Sequence, residues 1–185
     1  MRDHEHYMSM ALELAREAGE DGEAPVGCLV VGADGAIIGR GRNRREKDRD
    51  ATAHAEIEAI SRACKALGDW RLAGCSVYVT LEPCPMCAGA IIMSRVAKVF
   101  YGARDELTGS CGSVVNLFME RYGHPVQVTG GLLAEESSAL LAGFFGNLRD
   151  GDGGSLVSDS HAPLFLDKPA DNGKREIDAA MNLLP

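Results

Sequence analysis

Four side chains in this sequence have the types and spacing of a metal site with proton chemistry beside it. His54-Ala55-Glu56 opens the run TAHAEIEAI (52–60), and Cys84 and Cys87 stand with C-x-x-C spacing in TLEPCPMCAGA (80–90). A histidine and a glutamate near a helix start are common, so the triplet alone decides nothing. C-x-x-C lets two thiolates hold one metal, but it also fits a redox pair or half of a structural four-ligand site. A structural site needs four protein ligands, and no second C-x-x-C exists. Cys28, Cys64, Cys75 and Cys111 stand singly and read as small buried or neutral residues. His4, His6, His124 and His161 lie near the termini or in a turn and read as solvent-exposed. That leaves His54, Cys84 and Cys87 with a fourth position for water, the catalytic arrangement of zinc, which thiolate-rich donors suit. Residues two apart point about 200° apart around a 3.6-residue turn, so His54 and Glu56 cannot both be ligands from mid-helix. At a first turn they can flank one site, leaving Glu56 free for proton transfer.

Such a site needs two helix starts brought together. Pro85 suits the first position of a helix, where its missing N–H costs nothing. Cys84 is then the capping residue, Cys87 lies in the first turn, and the positive helix end favours thiolates. CSVYVTL (75–81) before it is β-branched and predicts a strand, making Cys84 part of a strand-to-helix turn, where sites collect in parallel α/β sheets. Ala53, Ile57, Ile60, Cys64 and Leu67 predict the helix after His54. Elsewhere, Tyr7, Met10, Ala11, Leu14, Ala15 and Ala18 predict a first helix over 3–18. PVGCLVV (25–31) and AIIG (36–39) predict a hairpin across Asp34-Gly35. Further strands are expected at 98–102 and 125–129, and helices at 85–95, 114–120 and 135–148. Helices alternating with strands after residue 50 imply parallel strands, and the opening hairpin makes the sheet mixed. The expectation is a three-layer α/β/α domain with a five-stranded mixed sheet over 1–150. From 151 to 185 the Gly-, Ser- and Asp-rich composition predicts a flexible acidic tail.

A chain of 185 residues is long enough for one real core. The N-terminus lacks an apolar stretch of signal length and no run reaches membrane-span length, so a cytoplasmic protein with reduced thiols is expected. A net charge of −8 argues against a simple nucleic-acid binder, yet Arg40, Arg42, Arg44, Arg45, Lys47 and Arg49 crowd one basic loop. That loop reads either as a solvated surface or as a local phosphate-binding rim, with Arg42 and Arg44 as RNA-phosphate candidates.

H-A-E followed by P-C-x-x-C is the signature of zinc-dependent nucleobase deaminases. EAPVGCLVV, GRGRN, TAHAEI, YVTLEPCPMCAGA, IIMSRVAKVFYGARD and TGSCGS together resemble the bacterial tRNA adenosine deaminases over about residues 3–149. The resemblance implies a cytidine-deaminase-like fold, one Zn2+ per subunit, and a homodimer. It implies hydrolytic deamination by zinc-activated water, with Glu56 as proton shuttle. The implied substrate is the wobble adenosine of a tRNA anticodon stem-loop, an arginine tRNA in the family's usual case. It adds Asn43 as a purine contact, Asp105 in the GARD turn as a ribose contact or turn cap, and Phe145 near the anticodon loop. Met86, Ile91, Ile92 and Met93 offer more apolar surface than one helix face needs, which fits a dimer and equally a core sandwiched between the sheet and the last helix. One departure stands out: the last helix ends GFFGNLRDGDGG with only Arg149, so it is not basic at its end. The rival readings are a free-base or nucleoside deaminase of guanine or cytidine type, and a non-catalytic RNA-binding subunit. A thioredoxin-type redox protein is more distant.

Overall fold

Five strands make one mixed sheet in the order β2-β1-β3-β4-β5. The structure is a computed structural model that describes residues 4–151; the expected tail lies outside the described residues from residue 152. Helix α1 (His4–Glu20) leads into β1 (Gly27–Val31) and β2 (Ile37–Arg42), then the single-turn α2 (Arg45–Asp48) and α3 (Ala55–Leu67). β3 (Ser76–Leu81), α4 (Pro85–Met93), β4 (Lys98–Ala103), a 3-10 turn (Leu117–Met119), β5 (Gln127–Thr129) and α5 (Ala134–Gly151) complete it. β1 is antiparallel to β2 and β3, while β3, β4 and β5 run parallel. The expected mixed α/β sheet is therefore present. At the β1–β2 turn, Gly32 N–H bonds Ala36 O at 2.8 Å and Gly35 takes φ +92°, as the Asp34-Gly35 signal requires. β5 starts at Gln127 rather than Pro125, because proline has no N–H for the ladder and the first bond is Gln127 N–H to Ala97 O.

Period-two alternation assigns the faces. Leu29, Val31, Tyr78 and Phe100 face Met8 and Ala11 of α1. Cys28, Val30, Val77, Val79 and Val99 face Ala55, Ala59 and Ala63 of α3 and Ile91 of α4. Helices thus cover both faces.

The seat of α3 matters most, because it carries His54 and Glu56. Gly39 and Gly41 of β2 let the helix backbone approach closely. A Cβ on Gly41 would lie 2.1 Å from Ala55 O, and one on Gly39 would lie 2.2 Å from Ala59 O. Glycine in the strand and alanine in the helix are both needed at this distance. The predicted stripe found the helix but largely the wrong face. Ala55, Glu56, Ala59, Ile60 and Ala63 are buried, while Leu67 is 49% exposed. Close approach to a glycine strand selects small residues over large apolar ones.

The basic stretch is not one loop. β2 extends through Arg42, and α2 follows. The buried carboxylate of Glu23 accepts the N–H groups of Glu46 and Lys47 at 3.2 and 2.8 Å, which pins that turn to the body. Two histidines also depart from expectation. His4 is half-buried, stacked on Phe100 at 4.3 Å and hydrogen-bonded to Tyr78 Oη at 2.8 Å. His124 is half-buried and bonds Val96 O at 2.9 Å. Both rings fill gaps at element ends while satisfying one polar group; His6 is exposed, and His161 lies outside the described residues. Among the described residues, no helix is long and apolar enough to cross a membrane.

Candidate active site

Two helix starts meet beside the sheet, as the residue types require. His54 is the N-cap of α3 and Cys84 the N-cap of α4, with Pro85 at the first helical position. Neither side chain caps its own helix. Instead Asn43 Oδ1 accepts the Ala55 N–H at 3.2 Å. Asn43 thereby supplies the missing cap and frees the His54 ring to turn inward.

His54 Nδ1 lies 3.8 Å from Cys84 Sγ and 3.5 Å from Cys87 Sγ. All three donor atoms fall within 4.8 Å of one another, and they form the sole such group of three found among the described residues. Zinc bonds of about 2.3 Å to sulfur and 2.0–2.1 Å to nitrogen in a tetrahedron would place S and N about 3.5 Å apart. The donor set and spacing therefore fit zinc. The three groups also polarise one another. Cys84 is pushed down to about 4, first by its hydrogen bond from Cys87 and also by His54. Cys87 is raised, first by the same bond to Cys84 and then by burial. Cys28, Cys64, Cys75 and Cys111 are free thiols outside this group.

Glu56 lies one step into α3 from this cluster and is only 4% exposed. Burial pushes its carboxyl up to about 7. A carboxyl near neutrality beside a candidate metal is suited to taking and returning a proton.

A cavity of about 170 Å³ opens onto these groups, lined in part by Asn43, His54, Glu56 and Cys84, with Val26 and Leu81 as apolar walls. Asn43 is buried, and with Oδ1 held by Ala55 its amide NH2 is the group it can offer a ligand. Asp105 and Phe145 also line the cavity. Asp105, however, spends its carboxylate on its own turn, accepting from Leu107 N–H, Thr108 N–H and Thr108 Oγ1–H. Phe145 is 47% exposed and meets Phe144 edge-on with centroids 5.3 Å apart. Arg42 and Arg44 are not in the cavity lining. Arg42 pairs with Asp21 at 2.8 Å and Arg44 with Asp48 at 2.9 Å.

Sequence reasoning missed two charged lining residues, Arg45 and Glu82. Arg45 reaches the cavity from α2. In the sequence it is only one member of a basic run. Glu82 is 2% exposed at the cavity and has no local signal beyond its place before Pro83-Cys84.

Residues 1–103 match the cytidine and deoxycytidylate deaminase zinc-binding region. The chain belongs to that deaminase family, alongside relatives that include the bacterial tRNA-specific adenosine deaminases. It is 49% identical over 150 residues to the tRNA-specific adenosine deaminase of Bacillus subtilis, covering 80% of this chain and 92% of that one. A solved structure from work on A-to-I editing by tRNA:A34 deaminases at the wobble position superposes with a TM-score of 0.71. It is 46% identical and covers 74% of this chain and 99% of the other. A guanine deaminase from Nitrosomonas europaea superposes with a TM-score of 0.68 at 30% identity, covering 76% of this chain and 83% of that one.

Proposed function

We propose that this protein deaminates adenosine to inosine at the wobble position of a tRNA anticodon loop, with an arginine tRNA as its substrate. The observation that carries the reading is the cavity in which Glu56 and Asn43 flank the His54, Cys84 and Cys87 donors. High identity to tRNA-specific adenosine deaminases over nearly their whole length supports the substrate class. One zinc ion per subunit would be held by His54 Nδ1, Cys84 Sγ and Cys87 Sγ, and when bound it supplies Lewis-acid activation of water.

The chain's own residues do the rest. Asn43 offers its amide NH2 to the purine, and Val26 and Leu81 give the ring apolar walls. Glu56 takes a proton from the attacking water as C–O forms at C6. It passes that proton to the ring nitrogen, then takes the remaining proton of the new C6 hydroxyl and gives it to the amine as C–N breaks, so that ammonia leaves and the C6 carbonyl of inosine remains. One carboxylate serves as base and then acid because the proton removed early is needed later. An anticodon loop presents its base already unstacked, which lowers the cost of reaching C6. Phe145, half in solvent at the cavity, stacks on a neighbouring base on this reading. Asp105 acts through its turn. The reaction takes place in the cytoplasm on this reading. Inosine formation in a stem-loop, compared with free adenosine and guanine, is its test.

Arg42 and Arg44 are proposed to meet RNA phosphates on the rim outside the cavity. Exposed ion pairs such as theirs are worth about 0–1 kcal/mol, so a phosphate can displace the carboxylate. Arg42→Ala with Arg44→Ala should weaken stem-loop binding and leave metal content unchanged. Removing the partner of one phosphate lowers the log–log salt slope by roughly 0.7–0.9. A salt titration with an unchanged slope would exclude both residues.

A homodimer belongs to the same reading. Ile91 and Ile92 do not provide its surface, because both are buried in this subunit's own core. Met93, Leu107 and Met119 remain 55%, 80% and 79% exposed and are the apolar groups a second subunit would cover. Sedimentation at micromolar concentration should show two subunits; a monomer would refute the dimer.

A further inference from the structure

Glu82 is a buried carboxylate that the deamination chemistry above does not use. It follows β3, two residues before Cys84, and its N–H bonds Ala103 O at 2.8 Å. Its side chain accepts four hydrogen bonds from one loop. Cys111 N–H and Ser113 N–H bond Oε1 at 2.8 and 3.1 Å. Asp105 N–H bonds Oε2 at 3.2 Å, and Ser113 Oγ–H also donates to it. Among the described residues no cation pairs with Glu82 in an ion pair. A buried carboxylate is costly unless its lone pairs are filled. Here neutral donors of the loop fill them, so carboxylate and loop hold each other in place.

The loop is shaped to fit. A Cβ on Gly109 would lie 2.5 Å from Glu82 Cδ and 2.3 Å from Asp105 O, so only glycine passes there. Ser110 N–H bonds Pro83 O at 2.9 Å, tying the same loop to the residue before Cys84. Asp105 and Thr108, which line the cavity together with Asn43 and His54, are thus hung from the turn that carries a metal ligand.

We propose that Glu82 is a positioning residue. It sets the distance between the Asp105–Thr108 wall of the cavity and the Cys84 turn, and thereby the fit of the substrate's nucleoside. It does so without touching the reacting atoms. The inference rests on the deaminase reading for its assay substrate, and on the hydrogen-bond geometry alone for its structural part.

Glu82→Gln keeps size but turns an NH2 toward N–H donors that need an acceptor. Gly109→Ala perturbs the same region from the loop side, where its Cβ must displace the Glu82 carboxyl or the Asp105 carbonyl, and it removes no carboxylate or metal donor from the chain. Ser113→Ala removes one donor only. For the first two variants, zinc content should stay at the wild-type level. KM for an anticodon stem-loop should rise roughly tenfold or more, with kcat changed less than about threefold, the pattern of weakened binding rather than impaired chemistry. Ser113→Ala should fall between them and wild type. Amide exchange over residues 105–113 should accelerate by about tenfold or more while that of α3 and α4 does not change. A merely structural role would lower the melting temperature without splitting KM from kcat. Wild-type KM in Gly109→Ala, or loss of zinc in parallel with activity in Glu82→Gln, would overturn the proposal. If Glu82→Gln fails to fold, Gly109→Ala and Ser113→Ala still decide it. A wild-type protein inactive on the stem-loop would defeat the substrate reading instead, and the exchange measurement would still test Glu82.

Discussion

Glu56→Gln should come out of purification folded, loaded with its metal, and nearly inactive. The side chain is not a donor in the His54, Cys84 and Cys87 group, so the metal keeps its three protein atoms. Glutamine has the same shape and lacks the charge that this 4%-exposed site must desolvate, so stability should not fall. Turnover should fall steeply, because no other described carboxyl both lines the cavity and is free of a turn or loop: Asp105 and Glu82 are each held by three or more hydrogen bonds. General acid–base groups contribute about 10²–10⁴-fold, and a sole shuttle belongs at the upper end. Cys87→Ala is the matching control, since removing a donor should take metal and activity away together. Metal analysis by mass spectrometry beside an inosine assay reads both. A Glu56→Gln protein with wild-type turnover would remove Glu56 from the chemistry, and one without metal would make it a ligand.

The chemistry-bearing residues are legible in the sequence because their spacing is local. C-x-x-C with proline between the cysteines places both thiolates in one first turn, and the H-A-E triplet needs only a helix start. The mixed sheet is legible because a hairpin followed by helix–strand alternation admits few topologies. What the sequence hides is non-local. The face of α3 is chosen by Gly39 and Gly41, earlier in the chain and on a different element, so large apolar groups point to Ile57, Cys64 and Leu67 instead of Ala55, Ala59 and Ala63. Glu23 and Glu82 look like ordinary surface acids in sequence. Each is buried because a distant stretch of backbone offers it N–H groups: Glu46 and Lys47 for one, Asp105, Cys111 and Ser113 for the other. Arg42 and Arg44 stand out in a basic run, yet carboxylates of α1, α2 and the turn after α1 claim them, while Arg45 beside them reaches the cavity.

The substrate carries the second large effect. The body is acidic, so capture of a polyanion depends on local cations, and the cavity is small, with Arg45 the one arginine in its lining. Free adenosine offers the base but none of the flanking phosphates or neighbouring bases that Phe145 and the basic rim would hold. Free guanine, the substrate named for the Nitrosomonas europaea relative, offers neither ribose nor phosphate. Binding energy from such remote groups raises kcat/KM when it is used to seat the reacting atom. The most direct measurement is therefore kcat/KM of the zinc-loaded protein on an anticodon stem-loop with adenosine at the wobble position, beside free adenosine and free guanine at equal concentration. The stem-loop should be turned over faster by about 10³-fold or more, since each missing group costs a factor and the free compounds lack several at once. Equal or faster turnover of free adenosine or guanine would contradict the RNA reading and leave a nucleoside or base deaminase.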